Sequence, residues 1–182
     1  MQVHVLVGSL RSGSFGRKIA RAAEDVSPDE MNFEVIDGRE LPLFDQDLDG
    51  DEKPTAVQRL IDQVTSADAL LFITPEFNYG IPGTLKNAID WASRPPYHSP
   101  LKNKPAVIIS YSVAPTGGSR AHLQLSSVLS GTLTPVMVAP GFSIPAIHEK
   151  FDEAGVLTDE MTRKRLIRTL EDFAEWAKSL ED

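Results

Sequence analysis

The stretch that decides the fold runs from residue 3 to residue 16: Val3-His4-Val5-Leu6-Val7-Gly8-Ser9-Leu10-Arg11-Ser12-Gly13-Ser14-Phe15-Gly16. Its first five residues, VHVLV, form a near-continuous apolar run of strand length. From its end onward, Phe15, Ile19, Ala22, Ala23 and Val26 recur at helical spacing and mark one buried face. Strand, glycine- and serine-rich loop, and helix together make a β–α unit. The loop reads as a phosphate cradle, but of neither common kind. Gly8 and Gly13 have the spacing of a Walker loop, yet Ser14-Phe15 stands where Lys-Ser/Thr is required. The dinucleotide fingerprint G-x-G-x-x-G fails as well, because position 10 is leucine.

The alternation continues to the end of the chain. FEVID (33–37) alternates apolar and polar residues, which suits an edge strand. Val57, Leu60, Ile61 and Val64 mark a second helix, with Pro54 near its start. ALLFITP (69–75) is a continuous apolar strand. Pro82 follows as the expected first residue of a helix whose buried face carries Leu85, Ala88, Ile89 and Ala92. AVIIS (106–110) is another buried strand, and Ala121, Leu125, Val128 and Leu129 stripe the helix after it. PVMVA (135–139) is the expected fifth strand. A last helix carries Leu166, Leu170, Phe173, Ala177 and Leu180, with Thr158 as its expected cap and Asp159 and Glu160 in its first turn. Five such units predict an α/β fold: a doubly wound parallel sheet with helices on both faces and strand order 2-1-3-4-5. Without linker, repeat or low-complexity segment, residues 1–182 read as a single domain.

Composition narrows the function. The formal net charge is −8, which disfavours nonspecific nucleic-acid binding. The chain has no cysteine, which removes disulfides, thiolate catalysis and cysteine-ligated metals. No apolar run approaches the roughly 18 residues that a membrane-spanning helix needs, and no secretory signal is recognisable at the start. A cytoplasmic protein without membrane partners is the expectation.

In a sheet of this order the loops after strands one and three flank the crevice where ligands bind. Three loops therefore converge: 8–14, 75–80 and 112–118. The first offers the hydroxyls of Ser9, Ser12 and Ser14 and the planar fork of Arg11, at the head of a helix whose free N–H groups favour an anion. The bland alternative is a turn and a helix cap, for which arginine would be a poor choice. The second reads PEFNYGIPG. Its Phe77 and Tyr79 either cover a flat ring or fold back into the core, and Asn78 offers both an amide donor and an acceptor. In the third, Gly117 and Gly118 either let backbone approach a ligand or simply make a flexible turn.

Three segments together, GSLRSGSFGRK, PEFNYGIPGTLKNAIDWAS and HEKFDEAGVLTDE, resemble the NAD(P)H-dependent FMN reductases, a flavodoxin-like family that includes quinone, azo-dye and chromate reductases. The resemblance covers nearly the whole chain. It implies that Ser9, Arg11, Ser14 and Phe15 hold the FMN phosphate and that Pro75, Glu76, Phe77 and Asn78 line the isoalloxazine. Ser112, Gly117 and Gly118 would meet its pyrimidine side, with backbone N–H groups after Ser112 facing N1 and C2=O. Two positions depart from the family pattern. Gly16 stands where the family often has asparagine, which removes one phosphate donor, and Phe77 replaces the usual tyrosine.

The implied activity is ping-pong hydride transfer, from NADPH or NADH to flavin N5 and on to quinones, azo compounds, metal oxyanions or free flavin. No side-chain catalyst is required, and the family resemblance implies a homodimer or homotetramer with a small-molecule acceptor. Two rival readings share the fold: a flavodoxin-like electron carrier, and a flavin-free module that binds some other phosphate ligand.

Other features carry less. DQDLDGDE (45–52) imitates the start of an EF-hand, but Ala56 occupies the position of the bidentate ligand and Pro54 interrupts the loop. His148-Glu149 starts a zincin-like motif that Asp152 breaks. His4 is expected as a satisfied core residue, Trp91 and Trp176 as packing residues, and Arg94-Pro95-Pro96-Tyr97 as a helix stop.

Overall fold

A computed structural model describes residues 1–138 and 141–180. Five parallel strands, β1 (Gln2–Val7), β2 (Asn32–Ile36), β3 (Ala69–Pro75), β4 (Ala106–Tyr111) and β5 (Phe142–Ile144), form one sheet of order β2-β1-β3-β4-β5. Between and after them come α1 (Phe15–Val26), α2 (Thr55–Ser66), α3 (Gly83–Ala92), α4 (Ser119–Gly131) and α5 (Glu160–Lys178).

Because side chains alternate across a strand, each central strand feeds two cores. Val3, Val5, Leu71, Ile73, Val107 and Ile109 face α1 and α5, meeting Ile19, Ala23, Leu166, Leu170 and Phe173. Leu6, Leu70, Phe72, Ala106 and Ile108 face α2, α3 and α4, meeting Val57, Leu60, Ile89, Trp91 and Leu125. All seven residues of β3 are buried, as a middle strand covered on both faces requires. The edge strand β2 buries only Ile36.

The long connection between β2 and α2 is fastened to α3. Asn87 and Trp91, one turn apart, both donate to the Pro42 carbonyl, at 2.8 and 2.9 Å, and Asn87 Oδ1 accepts from the Phe44 amide at 2.7 Å. The Asn and Trp of NAIDW thus hold a loop. Within that connection, Asp49 of the EF-hand-like run is engaged by Arg94 at 2.7 Å and Lys53 at 3.1 Å, so its carboxylate serves ion pairs.

Five expectations need correction. The fifth strand is Phe142–Ile144, not 135–139; of the expected segment, Ala139 lies outside the described residues. Val136 makes only an isolated bridge to Ala106, whereas Phe142 pairs with Ile109. Three residues of β4 thus oppose six of its partner, and the ladder cannot run through. Pro82 has φ −59° and ψ 141°, an extended ψ that makes it the cap before α3 rather than its first residue. Asp159, not Thr158, caps α5: its Oδ1 accepts from the Thr162 amide at 2.9 Å. Leu180 lies past the end of α5 and is exposed. Finally, His4 is buried but only partly satisfied. Its Nε2 lies 3.6 Å from Glu34, and its Nδ1 has no partner among the described residues.

Candidate functional site

The crevice opens where the sequence reading placed it, at the C-terminal ends of β1, β3 and β4. The Gly8 amide donates to the Ile73 carbonyl at 2.8 Å, which fixes the loop after β1 beside β3. The chain then turns, with the Ser14 amide donating to the Arg11 carbonyl at 3.1 Å. Ser14 caps α1 by accepting from the Arg17 amide at 3.3 Å.

A cavity of about 200 Å³ lies over this cap. Ser9 and Ser14, 7% and 5% exposed, line its floor. Arg11 and Phe15 line the same side. Arg11 is exposed and has no carboxylate partner among the described residues, unlike Arg17, which lies 3.9 Å from Asp37. Two hydroxyls, a free guanidinium and the head of a twelve-residue helix make a fit for a phosphate.

Gly16 sits behind this wall. A Cβ there would come 2.6 Å from Val7 Cγ1 and 3.0 Å from Tyr111 Oη. A larger side chain at this position, asparagine included, would find the space already taken.

Pro75, Glu76 and Phe77 form the second wall. After them Phe77 and Gly80 exchange main-chain hydrogen bonds of 2.9 and 3.0 Å around Asn78 and Tyr79, at φ 49° and 67°. That is a two-residue primed turn, with asparagine at a position where it is favoured. Phe77 is 52% and Tyr79 71% exposed, so the aromatics turn outward rather than into the core. Asn78 is exposed at the tip and does not line the cavity.

On the third side Ser112 lines the cavity. Its own amide donates to Ile144 and its Oγ accepts from the Ala114 amide, both at 3.1 Å. Among the backbone N–H groups expected to face a ligand, that of Val113 makes no hydrogen bond to the described residues. Gly117 and Gly118 do not line the cavity. At φ 61° and 80° they pack on the protein itself: a Cβ would meet Pro145 N at 2.9 Å from Gly117 and Tyr111 O at 2.9 Å from Gly118. The close approach their sequence suggested is an approach to the neighbouring backbone.

Tyr111, Val113 and Ile147 also line the cavity and were not singled out from sequence. Tyr111 was findable, since it directly precedes Ser112 at the end of a strand whose loop faces the crevice. Burial pushes its phenol up to about 12, against smaller opposing effects of the Gly16 amide and the Arg11 charge. Ile147 lies in a short turn (Ile147–Glu149) far along the chain, and nothing local marks it. A larger open groove beside Asp68, Lys102 and Lys104 lies at the opposite end of the strands. There Lys104 binds the Thr65 and Ala67 carbonyls at the end of α2.

With this geometry in view, comparison with known proteins is consistent. The family model described as NADPH-dependent FMN reductase matches residues 1–149. A quinone reductase of Pseudomonas putida is 37% identical over 176 residues, 97% of this chain and 94% of that protein. An NAD(P)H-dependent FMN reductase of Pseudomonas aeruginosa is 38% identical over 173 residues, 95% of this chain and 93% of that protein. Among solved structures, the flavoenzyme NAD(P)H:(acceptor) oxidoreductase FerB from Paracoccus denitrificans superposes with a TM-score of 0.90 at 35% identity, covering 98% of this chain and 97% of that one.

Proposed function

This chain belongs to the NADPH-dependent FMN reductase family, and we propose that it is a quinone reductase whose FMN lies in the cavity over the cap of α1. The observation that carries the placement is the convergence on that cavity of Ser9, Ser14 and Arg11, which has no carboxylate partner among the described residues. In this reading Ser9, Arg11, Ser14 and the Phe15 amide at the head of α1 hold the phosphate. Pro75, Glu76 and Phe77 lie along the isoalloxazine, with the Asn78 backbone at its edge. Ser112 and the free Val113 amide meet the pyrimidine end, where a donor stabilises negative charge. Bound there, FMN would supply the hydride-transfer chemistry between NADPH or NADH and the acceptor, and these residues would bind and orient it.

The protein's own residues then act by placement. Glu76, held from α4, fixes the loop that borders the ring. Phe77 and Val113, both exposed, leave one face open, so donor and acceptor use it in turn. An open face without a dedicated recognition group also suits azo compounds, metal oxyanions and free flavin as acceptors. The whole chain is proposed to act as one domain in a cytoplasmic homodimer or homotetramer. The exposed side chains of Tyr79, on the loop that borders the cavity, and of Leu123, on α4, are surface that such an assembly would cover.

The test is the visible spectrum of the purified protein with FMN, before and after NADPH or NADH is added without oxygen. Prompt bleaching of bound flavin followed by recolouring with a quinone is expected. Bound flavin that neither nicotinamide bleaches would point to an electron carrier. Failure to bind FMN would overturn the placement.

A further inference from the structure

We infer that Tyr111 is a phosphate-binding residue of this site: its phenol occupies the space that Gly16 leaves open and donates a hydrogen bond to the anion held by Ser9, Arg11 and Ser14. The inference rests on the proposed flavin site and names a donor within it.

The geometry comes from both sides of the helix head. Tyr111 is the last residue of β4 and only 5% exposed, yet it borders the same cavity as Ser9, Arg11 and Ser14. Its ring is therefore buried under α1 while part of the side chain reaches the cavity. Its oxygen would lie 3.0 Å from a Cβ at Gly16, so the hydroxyl stands beside the first turn of α1, level with the cap. A side chain at position 16 and a phenol at position 111 compete for one volume. Here glycine has yielded it.

Chemistry supplies the direction. A phenol has one proton to donate and lone pairs to accept. The Gly16 amide and the Arg11 guanidinium both favour negative charge on this oxygen, and as donors neither can accept its proton. Its oxygen donates to no described protein group, yet it is not one of the fully enclosed polar atoms left without a partner, so it opens onto the cavity that Tyr111 lines. The remaining direction is the cavity. Burial keeps the group protonated at any ordinary pH, so the O–H stays a neutral donor that adds to Arg11 without competing for charge. A phosphate monoester at the head of α1 presents the oxygen that this proton lacks.

The experiment uses Tyr111→Phe, which keeps the ring and removes only the oxygen. Dissociation constants of FMN and of riboflavin, which lacks the phosphate, are measured with wild type and variant by flavin fluorescence. Melting of both flavin-free proteins is followed with and without inorganic phosphate. Expected are unchanged melting without phosphate, FMN binding weakened about five- to twenty-fold, and unchanged riboflavin binding. Unchanged FMN binding in the variant would overturn the inference. So would equal weakening of FMN and riboflavin, which would move the contact from the phosphate to the ring. If wild type binds neither flavin, the functional reading fails separately. The hydroxyl then stands or falls on whether phosphate raises the melting temperature of wild type and does so less in the variant.

Discussion

Glu76 and Arg120 are joined twice: Arg120 Nε donates to Glu76 Oε1 at 2.9 Å, and the Arg120 main-chain N–H donates to Oε2 at 3.1 Å. The guanidinium also lies 4.1 Å from the Tyr79 ring centroid. One residue of α4 thus holds both the base and the tip of the loop that borders the cavity. Arg120→Ala leaves a nearly buried carboxylate with only the amide contact. We expect a stability loss of about 1–2 kcal/mol, set by a hydrogen bond to a charged group and reduced by the exposure of the arginine. Urea denaturation of the flavin-free protein measures it. Glu76→Gln, which keeps one acceptor, should lose less.

The packing around Gly16 makes a sharper prediction. An alanine there puts a methyl 2.6 Å from Val7 Cγ1, closer than two carbons tolerate. Gly16→Ala should cost about 1–3 kcal/mol through overpacking. Val7→Ala removes the atom that clashes, so the double variant should be more stable than the sum of the single changes implies. A double-mutant cycle by urea denaturation reads this coupling. Strict additivity would show that the helix shifts instead.

Much of this architecture was legible because the signals were redundant. ALLFITP had to be a middle strand, since a run apolar at every position needs cover on both faces, and the structure begins and ends it at those residues. Ser14 was readable as a cap because a helical stripe begins directly after it. Where two neighbours offered the same chemistry, sequence could not choose. Thr158 and Asp159 can both cap, and only the reach of Asp159 Oδ1 to Thr162 decides. The segments 135–139 and 142–144 are both apolar, and which one extends the sheet depends on a register that periodicity does not encode. Tyr111 escaped notice for a related reason. An aromatic at the end of a buried strand reads as core, and its ring is core; only its oxygen belongs to the site.

Asn87 tests whether the NAIDW motif is structural. Its amide satisfies both the Pro42 carbonyl and the Phe44 amide, and it is buried. Asn87→Ala strands the Phe44 N–H, whereas the Pro42 carbonyl keeps Trp91. A loss of about 2 kcal/mol is expected. Hydrogen exchange should locate the loosening in residues 41–44, away from the cavity. An unchanged exchange pattern there would refute the clamp.

Asp159 gives a dependence on pH. Hydrogen bonds from the Thr162 side chain and amide, with the Lys150 ammonium nearby, hold its carboxyl below the ordinary value. A carboxyl lowered in the fold contributes stability that is complete above its unfolded value, about 3.9, and is lost as pH falls through the folded one. Asp159→Ala should therefore cost about 1 kcal/mol near neutrality, as loss of a helix cap does. The gap from wild type should begin to narrow as pH falls below about 4, where the unfolded chain takes up the proton, and go on closing as pH falls through the lower folded value. Asp159→Ser keeps an accepting oxygen but does not titrate in this range. Its smaller deficit near neutrality should shrink, or reverse, over the same acid range. Urea midpoints of the three proteins between pH 3 and 7 decide it. A gap between wild type and Asp159→Ala that stays constant across that range would show that the cap acts through geometry alone.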